Sequence, residues 1–155
     1  MSKTARRAPF LSVLRELTQC YQAFERYSAA HIQTLKLTPP QFDVIATLGN
    51  TQGMTFRELG ERTLITKGTL TGVVDRLEAK GIVSRESCPE DGRATIVRLT
   101  RQGDKIFDRA FPAHISHLRE AFGQVCEQEL AVLEQGLSSL RKALSAAADN
   151  KKENQ

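Results

Sequence analysis

Between Thr55 and Leu99 the chain carries a closely punctuated run that few folds can accommodate. Thr55-Phe56-Arg57-Glu58 has the spacing of a capping box, in which each polar side chain answers a backbone N–H of the other, so a short helix is expected from here to about Arg62. Thr63-Leu64-Ile65 is a short apolar connection. Thr66 then stands where a cap belongs, and a second helix should run to about Lys80 and stop at Gly81. Leu70, Val73, Val74 and Leu77 fall on one side of that helix and predict its buried face. Residues 82–87 and 94–99 read as two short strands around Cys88-Pro89-Glu90-Asp91-Gly92-Arg93, whose Asp-Gly pair favours a hairpin turn. The order is therefore a short helix, a tight turn, a longer helix and a hairpin.

Long helices flank this unit. Phe10, Leu14, Leu17, Tyr21, Phe24, Ser28, His31 and Leu35 recur at alternating steps of four and three, one stripe of a long helix. Thr38-Pro39-Pro40-Gln41 is a second capping box, opening a helix that carries Phe42, Val44, Ile45 and Leu48. After the hairpin, Thr100 caps a helix expected to reach about Val125, with Phe107, Phe111, Ile115, Leu118 and Phe122 on one side. Pro112 should kink it or break its hydrogen-bond ladder. A last helix is expected from about Glu127 to Ala147, with Leu130, Leu133, Leu137, Leu140 and Leu144 in a three-four repeat, followed by a disordered tail over 148–155. The apolar stripes of the first and last helices exceed what the small central unit can cover. Packing against a second copy of the chain is the simplest solution, and an intramolecular bundle is the alternative.

Composition excludes several classes of function. No apolar run approaches the roughly 20 residues that cross a bilayer, and no signal-peptide core follows the basic start, so a cytoplasmic protein without a membrane partner is expected. Cys20, Cys88 and Cys126 are odd in number and widely spaced, which argues against a disulfide framework and against a zinc site. The sequence has no phosphate loop, no paired metal-ligand motif and no nucleophile with a recognisable base, and His31, His114 and His117 lack catalytic spacing. Neither an enzyme nor a resident metal or cofactor is expected. The net charge of +4 allows a polyanionic partner without requiring one.

The run Phe56-Arg57-Glu58-Leu59-Gly60-Glu61-Arg62, the stretch Gly68 to Arg85, Asp91-Gly92-Arg93 and Leu99-Thr100-Arg101-Gln102-Gly103 together resemble the MarR family of bacterial transcriptional regulators. The resemblance implies a mainly α fold with a small β-wing: a winged helix-turn-helix lobe over 39–99, and dimerisation helices over 10–37 and 101–147. It also implies a triangular homodimer that binds double-stranded DNA, with binding relieved by a small ligand or by oxidation.

The residues support the same reading on physical grounds. On the helix after Thr66, the side opposite the buried row carries Gly68, Gly72, Asp75 and Arg76, flanked by Thr69 and Thr71. A glycine inside a helix costs roughly 1 kcal/mol relative to alanine, so two on one outer face point to a surface that something approaches closely, such as a major groove. Thr66, Lys67, Gly68, Thr69, Thr71, Gly72 and Arg76 are the expected DNA contacts there, with Lys67 and Arg76 on phosphates. The bland alternative is a solvated face with tolerated glycines. Arg93 lies near the hairpin tip, where a guanidinium suits a narrow minor groove. Asp91 is expected to hold Arg93, or a nearby arginine such as Arg76 or Arg85, since a carboxylate facing DNA is repelled. An ordinary polar turn is the alternative.

The resemblance also implies an effector pocket between the dimerisation helices and the winged lobe, without defining its lining. Ser28 and His31 interrupt the first stripe beside Phe24 and Tyr27, and a polar group on a buried face needs a partner. Arg15, Arg26, Tyr27, Ser28 and His31 are the candidate lining, for a small ligand of the aromatic acid class. The peroxide-sensing branch of the family uses a thiol in the first helix, but its position falls near Leu14 here, and Cys20 is expected to be a buried, inert thiol. A winged-helix protein-interaction module and a thiol-based repressor are the rival functions. A protein-binding helix would display large apolar anchors where Gly68 and Gly72 stand.

Overall fold

The computed structural model describes residues 8–63 and 65–153. The chain divides into two compact units, Met1–Ser116 and His117–Gln155. Its elements in order are α1 (Phe10–Thr34), α2 (Pro39–Leu48), β1 (Met54–Thr55), α3 (Phe56–Thr63), α4 (Lys67–Ala79), β2 (Val83–Ser87), β3 (Thr95–Leu99), α5 (Arg101–Phe122) and α6 (Glu127–Glu153).

Local chemistry sets most of these boundaries. At α2 the Thr38 N–H donates to Gln41 Oε1 at 3.1 Å and the Gln41 N–H returns to Thr38 Oγ1 at 3.4 Å. At α3 the Thr55 N–H donates to Glu58 Oε2 at 2.8 Å and the Glu58 N–H to Thr55 Oγ1 at 3.2 Å. Both boxes therefore form as the sequence predicts. α4 ends in a Schellman motif: the Gly81 N–H bonds Glu78 O and the Ile82 N–H bonds Leu77 O, with Gly81 at φ +70°. α1 closes in the same way with Lys36 at φ 61°, a left-handed position filled without glycine. The Thr66 cap differs from expectation. Its hydroxyl donates to Thr69 Oγ1 at 3.1 Å and makes no cap bond to the backbone of α4.

The two expected strands pair as an antiparallel hairpin with Val83 opposite Leu99 and Ser87 opposite Thr95. A third strand that the periodicity did not reveal, β1, pairs with β3 through Met54 opposite Val97, giving the sheet order β1-β3-β2. Gly53 permits the approach, since its φ is +95° and a Cβ there would lie 2.8 Å from Val97 O.

The core of the first unit joins Ile32 of α1, Val44, Ile45 and Leu48 of α2, Leu59 of α3, the predicted row of α4 and Val97 of β3. From α5 it receives Phe107 and Ala110, with His114 buried in the same row. Of the expected row, Phe107 is buried and Phe111 packs on the core, whereas Ile115 and Phe122 are exposed. α5 continues through Pro112, which forgoes one ladder bond without ending the helix. In the second unit α6 continues well past Ala147, so of the tail expected to be disordered over 148–155, residues 148–153 are helical and 154–155 lie outside the described residues.

In the N-terminal half of the α1 stripe Phe10, Leu14, Tyr21 and Phe24 are exposed. On α6, Val132, Leu133, Leu137 and Leu144 are likewise exposed. Among the described residues no helix is long and apolar enough to cross a membrane.

Candidate nucleic-acid interface

α3, the connection through Ile65, and α4 form the helix-turn-helix. The Thr63 hydroxyl donates to Leu59 O at 2.7 Å and receives the Ile65 N–H at 3.4 Å, which closes α3 and turns the chain. Leu70, Val73, Val74 and Leu77 then anchor α4 on the core, and the opposite side is left outward. Thr66, Lys67, Gly68, Thr69, Thr71 and Arg76 are exposed and Gly72 is half-buried. The Thr71 hydroxyl is returned to Lys67 O at 3.0 Å.

The two glycines differ in their surroundings. A Cβ at Gly68 would meet nothing within 4 Å, so this position is open to whatever approaches from outside. A Cβ at Gly72 would lie 3.7 Å from a terminal nitrogen of Arg76, whose guanidinium folds back over the glycine. Because the Thr66 side chain does not cap α4, the first-turn amides keep no side-chain partner from that residue, and the partial positive charge of a helix start favours an anion.

At the wing, Arg93 is exposed and its N–H donates to Asp91 Oδ1 at 3.0 Å. Asp91 O accepts the Ala94 N–H at 2.9 Å, and Ala94 O accepts the Cys88 N–H. Asp91 thus shapes the backbone of the tip, where the expectation was that it would hold an arginine side chain. The arginine that carboxylates do hold is Arg85 of β2, paired with Asp75 and with Glu78 of α4. Both pairings were missed because the partners sit on different elements.

A cleft of about 740 Å³ lies between the helix-turn-helix and the wing. Its lining brings Lys67 and Arg93 together with Arg57, a cation the sequence reading did not single out, over Phe56, Ile65 and Leu70. Arg57 is partly neutralised by Glu61 at 3.1 Å, one helical turn on.

The candidate effector residues are less concentrated. Ser28 Oγ lies 3.0 Å from His114 Nε2, and His31 Nδ1 lies 3.0 Å from His114 Nδ1, with the Phe42 ring edge-on to His114 at a centroid distance of 4.6 Å. His114 is therefore the residue that organises this corner. The signal for it was present: His114 follows Phe107 and Ala110 on one helical row, a polar group in an apolar series. Tyr27 is half-buried, whereas Arg15 and Arg26 are exposed. Arg15 stands about 24 Å along α1 from His31 at 1.5 Å per residue, too far for one small ligand to span within the chain.

Cys20 is exposed, against the expectation of burial, as are its stripe neighbours Tyr21 and Phe24. Cys126 is exposed and Cys88 half-buried.

The profile of the MarR family matches residues 35–94. The transcriptional regulator HosA of Escherichia coli O111:H- is 36% identical over 115 residues, spanning 72% of this chain and 85% of its own. The homoprotocatechuate degradative operon repressor of Escherichia coli is 28% identical over 137 residues, covering 88% of this chain and 90% of its own. Among solved structures, Sco3205, a MarR family transcriptional regulator from Streptomyces coelicolor in complex with DNA, superposes with a TM-score of 0.79 at 25% identity, covering 86% of each chain. The winged helix-turn-helix geometry and these likenesses agree: the chain belongs to the MarR family of DNA-binding transcriptional regulators, and is not an enzyme.

Proposed function

We propose that the chain works as a cytoplasmic homodimer that reads an inverted repeat, with two copies of α4 about one DNA turn apart, roughly 34 Å. Thr66, Lys67, Gly68, Thr69, Thr71, Gly72 and Arg76 meet the major groove, and Arg93 enters the adjacent minor groove with its loop shaped by Asp91. The carrying observations are the convergence of Lys67 and Arg93 on one cleft and, separately, the open outward position at Gly68 of α4. Sco3205, solved with DNA, supports the same use of the fold. Large apolar anchors, which a protein-interaction helix would need, are absent from the described outward positions of α4.

Its action is that of a repressor released by a small ligand of the aromatic acid class. Tyr27, Ser28 and His31, joined by His114, are the residues proposed to receive that ligand, and the polar row beside the Phe42 ring supports this reading.

The test is a titration of a duplex selected by the protein from a random pool, repeated at several salt concentrations. Arg93→Ala is expected to weaken binding about tenfold and to reduce the salt slope by about one, with the dimer intact. An unchanged affinity would remove Arg93 from the interface. For the ligand, melting with salicylate or 4-hydroxybenzoate should rise for the parent protein and not for His31→Ala, with release of the duplex in the same mixture. No rise and no release would remove aromatic acids as effectors.

A further inference from the structure

Asp75 presents a problem for a DNA-reading helix. It stands on the outward side of α4 next to Arg76, and its side chain is 55% exposed; Glu78, one turn on, is 41% exposed. Two carboxylates at this edge would repel phosphates. The structure gives both to one cation. Arg85 of β2 bonds Asp75 Oδ1 through Nη2 and Glu78 Oε2 through Nη1, the latter at 2.8 Å. Its guanidinium lies over the Phe56 ring at the start of α3, 5.4 Å from the centroid.

The arrangement ties together three elements: α3 through Phe56, α4 through Asp75 and Glu78, and β2 through Arg85. A planar fork serves two carboxylates at once while stacking on a ring, which an ammonium cannot reproduce. At 26% exposure, Arg85 is more covered than either partner, and both of its terminal nitrogens already have partners.

We propose that Arg85 is a positioning residue for DNA reading, which acts through Asp75 and Glu78 by holding their carboxylates away from the phosphates without touching DNA itself. This rests on the reading that α4 faces DNA.

The experiment uses the full chain, the selected duplex and an unrelated duplex of equal length, read by fluorescence anisotropy across salt, with a thermal melt of each variant. Arg85→Ala is expected to bind the selected duplex about tenfold more weakly at physiological salt, with the deficit shrinking as added salt screens the freed carboxylates. Adding Asp75→Asn and Glu78→Gln to Arg85→Ala removes the exposed charges and should restore affinity to within about threefold of the parent. A triple variant as weak as Arg85→Ala, a deficit that does not shrink with salt, or parental binding by Arg85→Ala would each overturn the proposal. Should Arg85→Ala fail to fold, Asp75→Asn with Glu78→Gln decides. The freed guanidinium should then reach phosphates anywhere and lower the preference for the selected duplex, and an unaltered preference overturns the idea. Gly68→Glu on the same helix separates the two readings. If it binds as the parent does, the orientation of α4 is wrong; if it abolishes binding while the Arg85 series departs from expectation, only the role of Arg85 is wrong.

Discussion

His31 and His114 meet through their Nδ1 atoms, 3.0 Å apart, and only one of the two can carry the hydrogen between them. If His114 donates, its Nε2 accepts from the Ser28 hydroxyl; if His31 donates, the His114 Nε2–H is given to Ser28 Oγ. Both assignments satisfy the row, so α1 and α5 are joined by a polar chain inside an apolar corner. His114→Leu breaks this chain and leaves the Ser28 hydroxyl buried without that partner. It is expected to cost about 1–3 kcal/mol in urea unfolding. Ser28→Ala combined with His114→Leu should cost less than the two single changes added together. Additive costs would show that the two groups do not depend on each other.

Gly103 is the next sensitive point. A Cβ there would lie 2.2 Å from Ile82 O and 3.1 Å from Leu99 Cβ. The backbone carbonyl has little freedom to move, because it already accepts from the Thr100 N–H at 3.0 Å. Gly103→Ala is expected to destabilise by about 1–3 kcal/mol or more, read as a lowered melting temperature at fixed protein concentration. Gly68→Ala is the control: its Cβ meets nothing, so the melt should hold or rise slightly while DNA binding falls.

The capping box of α3 has a pH signature. Glu58 accepts from the Thr55 N–H and hydroxyl, and these bonds hold its carboxyl below the usual glutamate range. A carboxylate depressed in the folded state stabilises it fully above the unfolded value of about 4.3 and loses that contribution as pH falls through the folded value. The Glu58 side-chain carbon, followed by NMR, should therefore titrate at lower pH than a free glutamate. Its pH-dependent contribution should vanish in Glu58→Gln. A midpoint at or above the ordinary value would contradict the box.

The exposed apolar positions of α6 carry the prediction about assembly. Leu133 and Leu137 are each about half exposed, on a helix whose polar side needs no cover. Leu133→Glu with Leu137→Glu is expected to lower the mass in sedimentation equilibrium from two chains to one. The same change should leave far-ultraviolet circular dichroism largely intact. A parent protein that sediments as one chain would remove the homodimer.

What could be read in advance was what neighbouring residues decide among themselves. The Thr38–Gln41 and Thr55–Glu58 boxes, the Gly81 stop and the inward row of α4 each depend on residues within a turn or two. β1 escaped notice because two residues carry no alternation, and its pairing is supplied by Val97 and Ile96, far along the chain. His114 ranked below His31 as a ligand candidate because two apolar rows can be drawn on α5, and only contact with α1 and α2 selects between them. Arg85, Asp75 and Glu78 were visible as charges, but which cation met which carboxylate followed from the packing of α4 on β2. Cys20 was misjudged for a related reason: an apolar stripe predicts burial without saying whether the chain itself provides the cover.

The Thr100 hydroxyl donates to Gly81 O at 2.6 Å and accepts the Gly103 N–H at 3.1 Å, while the Thr100 N–H reaches Ile82 O. The end of α4, the foot of the wing and the first turn of α5 are therefore welded at one joint. A change in the direction of that first turn is thereby passed to the end of α4 and the foot of the wing together, through one side chain.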